Sequence, residues 1–215
     1  MAFSYAGYSK VYSMRFGFMV ADPITFLLED ARELRALGME QEALQIFRDI
    51  STEHPHCIES YIEQVDIILN RGIISRQELL GAEQLIDQAL LINKFHPDGN
   101  YYKGYILSLL NRWEDALPYL VTARELDADD SDTLRVFGWI HFHLQDKALG
   151  IKLLKQAIGQ DKHCIEAYEN LAECYLALQM LSVAQEVLEQ GLLIDPTNEV
   201  LLELLWVAKQ EESSK

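Results

Sequence analysis

Two short stretches set potentially reactive side chains side by side: residues 56–61 read HCIESY and residues 163–168 read HCIEAY. Imidazole, thiol and carboxylate within four positions are the donor types of a zinc site, or of a thiol activated by a neighbouring base. A third stretch, WIHFHLQD, carries His141 and His143. None of them completes a centre. Tetrahedral zinc takes four ligands, and around Cys57 the sequence offers His54, His56 and Glu59 with nothing obvious beyond them. Residues two apart on a helix point about 200° apart, which puts His141 on the core side and His143 opposite. No glycine-rich phosphate loop, GxSxG elbow or HExxH motif appears. A metal or thiol enzyme is the weakest reading, and neither cofactor nor catalytic residue is expected.

The bulk properties point the same way. The chain has 215 residues with 18 basic and 34 acidic side chains, a net charge of −16. Such a surface repels phosphate backbones and anionic lipid and favours partners carrying Lys and Arg. No segment approaches the roughly 18 apolar residues of a membrane span, and the first residues lack a charged leader followed by an apolar block. Three cysteines, Cys57, Cys164 and Cys174, are too few for a disulfide framework. The expectation is a soluble, cytoplasmic protein with reduced thiols, no nucleic-acid partner and no direct membrane insertion.

The elements that position these residues emerge when the chain is aligned on itself. Gly104, Gly138 and Ala172 fall in one column, Ala116, Gly150 and Ala184 in a second, Ala123, Ala157 and Gly191 in a third, all at a spacing of 34. Ala31 and Ala43 extend the columns upstream, as do Ala82 and Ala89. Of 15 places, 13 hold Ala or Gly, the exceptions being Val65 and Ile50, where composition alone supplies about two. Between them, apolar residues recur at three- and four-residue steps broken by short turns, the pattern of helical hairpins. Gly38 and Asn111 are placed to end first helices in the left-handed conformation. The second unit carries about five extra residues in NRGIISRQELLG, which should lengthen its turn. The two HCIE copies are 107 residues apart, three periods plus that insertion, so they are one repeat junction seen twice.

This pattern resembles the tetratricopeptide repeat, a 34-residue helix-turn-helix unit. The resemblance implies an all-α, right-handed superhelical solenoid of about five hairpins, at 24–57, 58–96, 97–130, 131–164 and 165–198. Pro55 and Pro196 stand at expected unit ends, whereas Lys162 and Ala128 replace proline elsewhere. Residues 199–211, with Leu202, Leu205 and Trp206 on one face, read as a capping helix, followed by the tail 212–215.

In stacked hairpins of this kind the first helices line the concave groove. The candidate peptide-binding residues there are Tyr101, Tyr105, Arg135, Trp139, Phe142, His143, Glu166, Glu169 and Glu173, an aromatic floor with an acidic end. Leu28, Arg32, Arg35, Ile62 and Asp66 are the contribution of the first two units. Such a surface suits a partner protein with apolar anchors and a basic flank. The Lys and Asn carboxylate clamp of heat-shock co-chaperones is missing, since Tyr101, Tyr105, Val136 and Glu166 hold those places. In size, charge and groove aromatics the chain is similar to type III secretion chaperones. The leading expectation is a non-enzymatic cytosolic chaperone or adaptor; the alternative is a structural subunit of a multiprotein assembly. Residues 1–22 carry a further stripe, Tyr5, Tyr8, Tyr12 and Phe16. It could cap the first repeat, form a homodimer or lie in the groove.

Overall fold

The computed structural model describes residues 22–127, 130–144 and 146–213, and among them the chain forms eleven α-helices and no strand. The stripe of Tyr5, Tyr8, Tyr12 and Phe16, Ala128, and the last two residues of the tail lie outside the described residues. The helices are α1 (Pro23–Ala36), α2 (Glu40–Glu53), α3 (Ile58–Leu69), α4 (Arg76–Ile92), α5 (Pro97–Leu109), α6 (Trp113–Leu126), α7 (Ser131–His143), α8 (Lys147–Gln160), α9 (Ile165–Ala177), α10 (Leu181–Ile194) and α11 (Glu199–Ser213). They fall into two compact units, Met1–Tyr102 and Lys103–Lys215, with the boundary inside α5.

Local signals set the helix ends. Pro23 opens α1 behind Asp22, whose carboxylate accepts from the Ile24 amide at 3.2 Å. Ser75 and Glu78 form a reciprocal capping box at α4. Asp130 and Asp146 accept amides of the first turns of α7 and α8. Three first helices, α1, α5 and α9, stop on a left-handed residue: Gly38 at φ 78, Asn111 at φ 59 and Gln179 at φ 58. Behind Gly38 the Met39 amide returns to the Leu34 carbonyl at 2.9 Å, and the Arg112 and Met180 amides do the same behind Asn111 and Gln179. Glycine and asparagine were legible as stops; glutamine, which reaches this region less readily, was not.

In the first unit α1 pairs with α2 and α3 with α4, while α2 packs on α3. Its core is Leu27, Leu28, Ala31, Ala43, Leu44, Phe47, Ile50 and Ile67. Val65 and Ile50, the two larger residues in the small columns, are both fully buried. The extra residues of the second hairpin are shared between turn and helix: the turn runs over 70–75, and α4 has 17 residues where α2, α6, α8 and α10 have 14.

The second unit repeats the arrangement: α7 pairs with α8 and α9 with α10, while α9 also touches α7 and α11. The first helices α7 and α9 thus lie side by side, and α8 packs on both. The small columns sit at the crossings. A Cβ on Gly150 would lie 2.7 Å from the Gly138 carbonyl oxygen and 2.7 Å from the Phe142 nitrogen, so the backbones of α7 and α8 touch there. Ala172 and Ala184 are likewise fully buried. Around them pack Leu154, Tyr168, Leu171, Cys174, Tyr175, Val187, Leu188 and Leu201.

One expectation needs correcting. On α11 the buried face is Leu201 and Ala208, while Leu202 and Trp206 are 46% and 63% exposed. The helical period showed that one side was apolar; the contact with α10 turns inward a different side.

Candidate partner-binding site

Each candidate residue sits where its helix places it, but not all of them face outward. On α7, Arg135 and Phe142 are 7% and 6% exposed. Phe142 belongs to the core with Leu154 and Leu171, so it supports the surface from beneath and does not line it. Arg135 is held between three helices. Its guanidinium lies 5.3 Å from the Tyr105 ring on α5, donates to Asp132 at 3.3 Å on its own helix, and donates to Asn170 Oδ1 at 3.3 Å on α9. The guanidinium acts as a spacer that sets the register of successive first helices.

One turn beyond, Trp139 is half-buried and His143 keeps an exposed edge. The His143 ring packs 4.3 Å from Trp139 and 3.9 Å from Trp113, the first residue of α6. Burial among these rings holds the imidazole below its usual pKa, hence neutral at pH 7. Trp113 escaped sequence reasoning because it starts a second helix; the only signal was an aromatic two residues after the Asn111 stop. The other histidine, His141, sets its ring edge-on to Phe137 at 4.5 Å, half-buried on the core side.

On α9, Glu166 is exposed, and Glu169 and Glu173 are half-buried. Burial pushes the Glu169 carboxyl up, partly offset by a hydrogen bond from Asn198. Burial and then the like charge of Glu169 push Glu173 up. The Arg135–Asn170 bond aligns α7 with α9, and the repeat step of 34 carries Trp139 to Glu173. The surface of the second unit thus combines half-buried indoles with carboxylates that are already partly desolvated.

The first unit differs. There the inward residues of α1, α3 and α5 join one another. Arg32 and Arg35 pair with Glu63, Arg35 also pairs with Asp66, and the Tyr102 hydroxyl donates to Asp66. Tyr101 belongs to this unit, its ring 5.1 Å from that of Tyr102. Desolvation and the Asp66 charge hold the Tyr102 phenol well above its usual range. Arg32, Arg35 and Asp66 are thereby engaged with one another along the helix layer.

Each HCIE junction leads into a first helix. Cys57 and Cys164 are the residues preceding α3 and α9, and Tyr61 and Tyr168 pack inward at 7% and 5% exposure. All three cysteines are free thiols. Burial pushes Cys164 up to about 11 and Cys174 up to about 12, and raises Cys57 as well, the reverse of an activated thiolate. Among the described residues no group of three or more His, Cys, Asp or Glu is arranged to hold a metal ion. No helix among them is long and apolar enough to cross a membrane.

Helical hairpins with small residues at their crossings and a 34-residue step make up an all-helical repeat architecture similar to that of tetratricopeptide-repeat proteins. Residues 145–205 match the family model described as Tetratricopeptide repeat. Solved structures extend the fold likeness across both units. A thermophilic tetratricopeptide-repeat protein of Thermus thermophilus is similar at TM-score 0.71 and 20% identity, over 87% of this chain and 99% of that one. The Cut9–Hcn1 hetero-tetramer of the APC/C is similar at TM-score 0.77 and 18% identity, over 95% of this chain and 39% of that one. YrrB, a tetratricopeptide-repeat protein described as having an unusual peptide-binding site, is similar at TM-score 0.60 and 19% identity, over 91% of this chain and 96% of that one. No curated protein matches the chain. The fold and the family match are those of protein-interaction modules.

Proposed function

We propose that the chain is a non-enzymatic binding module that holds an extended or helical segment of a partner protein on the first-helix layer of its second unit, as a cytosolic chaperone or adaptor. The observation that carries this reading is the cluster of Trp113, Trp139 and His143, left partly open beside the half-buried Glu169 and Glu173. Large rings held rigid by their neighbours give contact area at low entropic cost, the usual make-up of an interface hot spot. The carboxylates, already raised by desolvation, gain from an incoming Lys or Arg and so select a basic flank. A secretion chaperone is the special case in which the partner is an export substrate kept soluble. At 19% identity the likeness to YrrB supports the fold only, and the reading stands on the aromatic cluster.

The test is titration of the full chain with synthetic peptides pairing two Leu or Phe anchors with an Arg-Lys flank, against the same peptides with Glu in the flank. Binding of the basic series is expected to weaken at least tenfold on Trp139→Ala. Affinity that survives Trp139→Ala sinks the assignment, as does preference for the acidic series.

A further inference from the structure

A second surface lies on α11 of the second unit. The repeat step carries Tyr168, Leu171 and Ala172 of α9 onto Leu202, Leu205 and Trp206 of α11. On α9 those three are 5%, 3% and 0% exposed, packed in the core shared with α10. On α11 the equivalent face is partly open: Leu205 packs against the core, while Leu202 and Trp206 are 46% and 63% exposed. Trp206 stands in the column that holds Ala or Gly in every unit but the second, where it holds Val65, so a partner helix here meets an indole and not a close backbone crossing. Glu199 and Glu203, three residues before each of these apolar groups, share their side of the helix and are exposed.

The chain itself contains a segment of matching chemistry. Residues 1–21 hold Tyr5, Tyr8, Tyr12 and Phe16 at helical spacing, with Lys10 and Arg15 and no acidic residue, although the whole chain carries −16. Arg15 is three residues from Tyr12 and adjoins the aromatic stripe. The segment's own neighbour gives it little to cover, because α1 exposes one large apolar side chain, Phe26. Only five residues separate Phe16 from the α1 cap at Asp22, a reach of about 18 Å. Between two copies that short link imposes no constraint. We propose that residues 1–21 of one copy pack their aromatic stripe on the open α11 face of a second copy, with Arg15 beside Glu199 or Glu203. Such a contact is heterologous, joining head to tail, and builds chains or closed rings.

Sedimentation of the full chain over a range of concentrations reads this directly. Species heavier than the 24.7 kDa monomer are expected to grow with concentration. Trp206→Glu and, separately, Tyr8→Ser with Tyr12→Ser should each weaken association at least tenfold while circular dichroism stays unchanged. Mixed together, the two variants should recover a one-to-one complex and stop there, since each retains one intact half. A wild-type chain that stays monomeric overturns the proposal, including the case in which its own segment covers α11. Association untouched by either variant overturns it too, as does a mixture that fails to pair.

Discussion

Replacing Gly150 by alanine tests whether the small columns are sites of backbone contact. The added Cβ would meet the Gly138 carbonyl oxygen at 2.7 Å, the Phe142 nitrogen at 2.7 Å and the Phe142 Cβ at 2.8 Å. Two of the three are backbone atoms and cannot rotate away, so α7 and α8 must part by about 0.7 Å to reach ordinary contact. A gap of that size forfeits about a quarter to a half of each dispersion contact across the seam. Leu153, Leu154, Ile140 and Phe142, all buried, are the side chains affected. Overpacking of this kind costs up to about 3 kcal/mol, against which helix propensity returns about 1 kcal/mol on Gly→Ala. The net loss of about 2 kcal/mol lowers Tm by roughly 4–8 °C in a chain of this size. Gly159, on the same helix with nothing within 4 Å of a Cβ, is the control. There alanine should raise Tm by about 2–4 °C, since only the propensity gain operates. Thermal melts by circular dichroism compare the two. A Gly150→Ala protein as stable as Gly159→Ala would refute the close crossing and with it the physical reason for the columns.

Three further outcomes follow from the charges and thiols. Glu173 has its folded carboxyl raised above the ordinary 4.5, so the folded state holds its proton longer than the unfolded one, and stability falls as pH rises through that window. Glu173→Gln should therefore be the more stable protein at neutral pH, with the difference vanishing well below pH 4.5, while it binds basic peptides more weakly; urea titrations at both pH values check the sign, which reverses if Glu173 is instead held by a cation. Tyr102→Phe removes a hydroxyl from the Asp66 carboxylate in the first unit and should cost about 1–2 kcal/mol in urea unfolding, whereas a neutral effect means that the bond does not link α3 to α5. A thiol reagent at pH 8 should label Cys57 first and reach Cys164 and Cys174 only on unfolding, and rapid labelling of Cys174, buried at 0% exposure, would contradict the packing.

Much of the fold was legible because it is written in residues that repeat. Gly38 and Asn111 could be read as helix stops from their identity alone, and both adopt positive φ. The columns of Ala31, Ala43, Gly138 and Gly150 could be read from spacing, and at Gly138 and Gly150 backbone contact leaves room for nothing larger. The site was less legible. Phe142 obeys the same period as Trp139, yet it lies in the core with 6% exposure, because a three-residue step turns it toward α8 and α9. Arg135 shows only a charge in the sequence; its role comes from Tyr105 and Asn170, which lie 30 and 35 positions away. Trp113 joins His143 through a fold-back between helices that no local pattern announces.

The repeat architecture also explains why charge and apolar area accumulate where they do. Each hairpin presents the same faces to its neighbours, so a residue that serves the stack should find its partner one repeat away. Arg35 does so with Glu63 and Asp66, and Arg135 does so with Asn170. Residues that break this rule are free to answer to something outside the stack. Glu173 places a carboxylate on α9 at a cost in desolvation that neither helix packing nor capping requires. Trp206 puts the largest side chain, 63% exposed, into a column that otherwise holds Ala, Gly or Val. Stability selects against both choices, since polar or small residues there would be cheaper to solvate. The proposed partner with basic and apolar groups at the first place, and the proposed aromatic segment at the second, would supply the compensation that the stack does not.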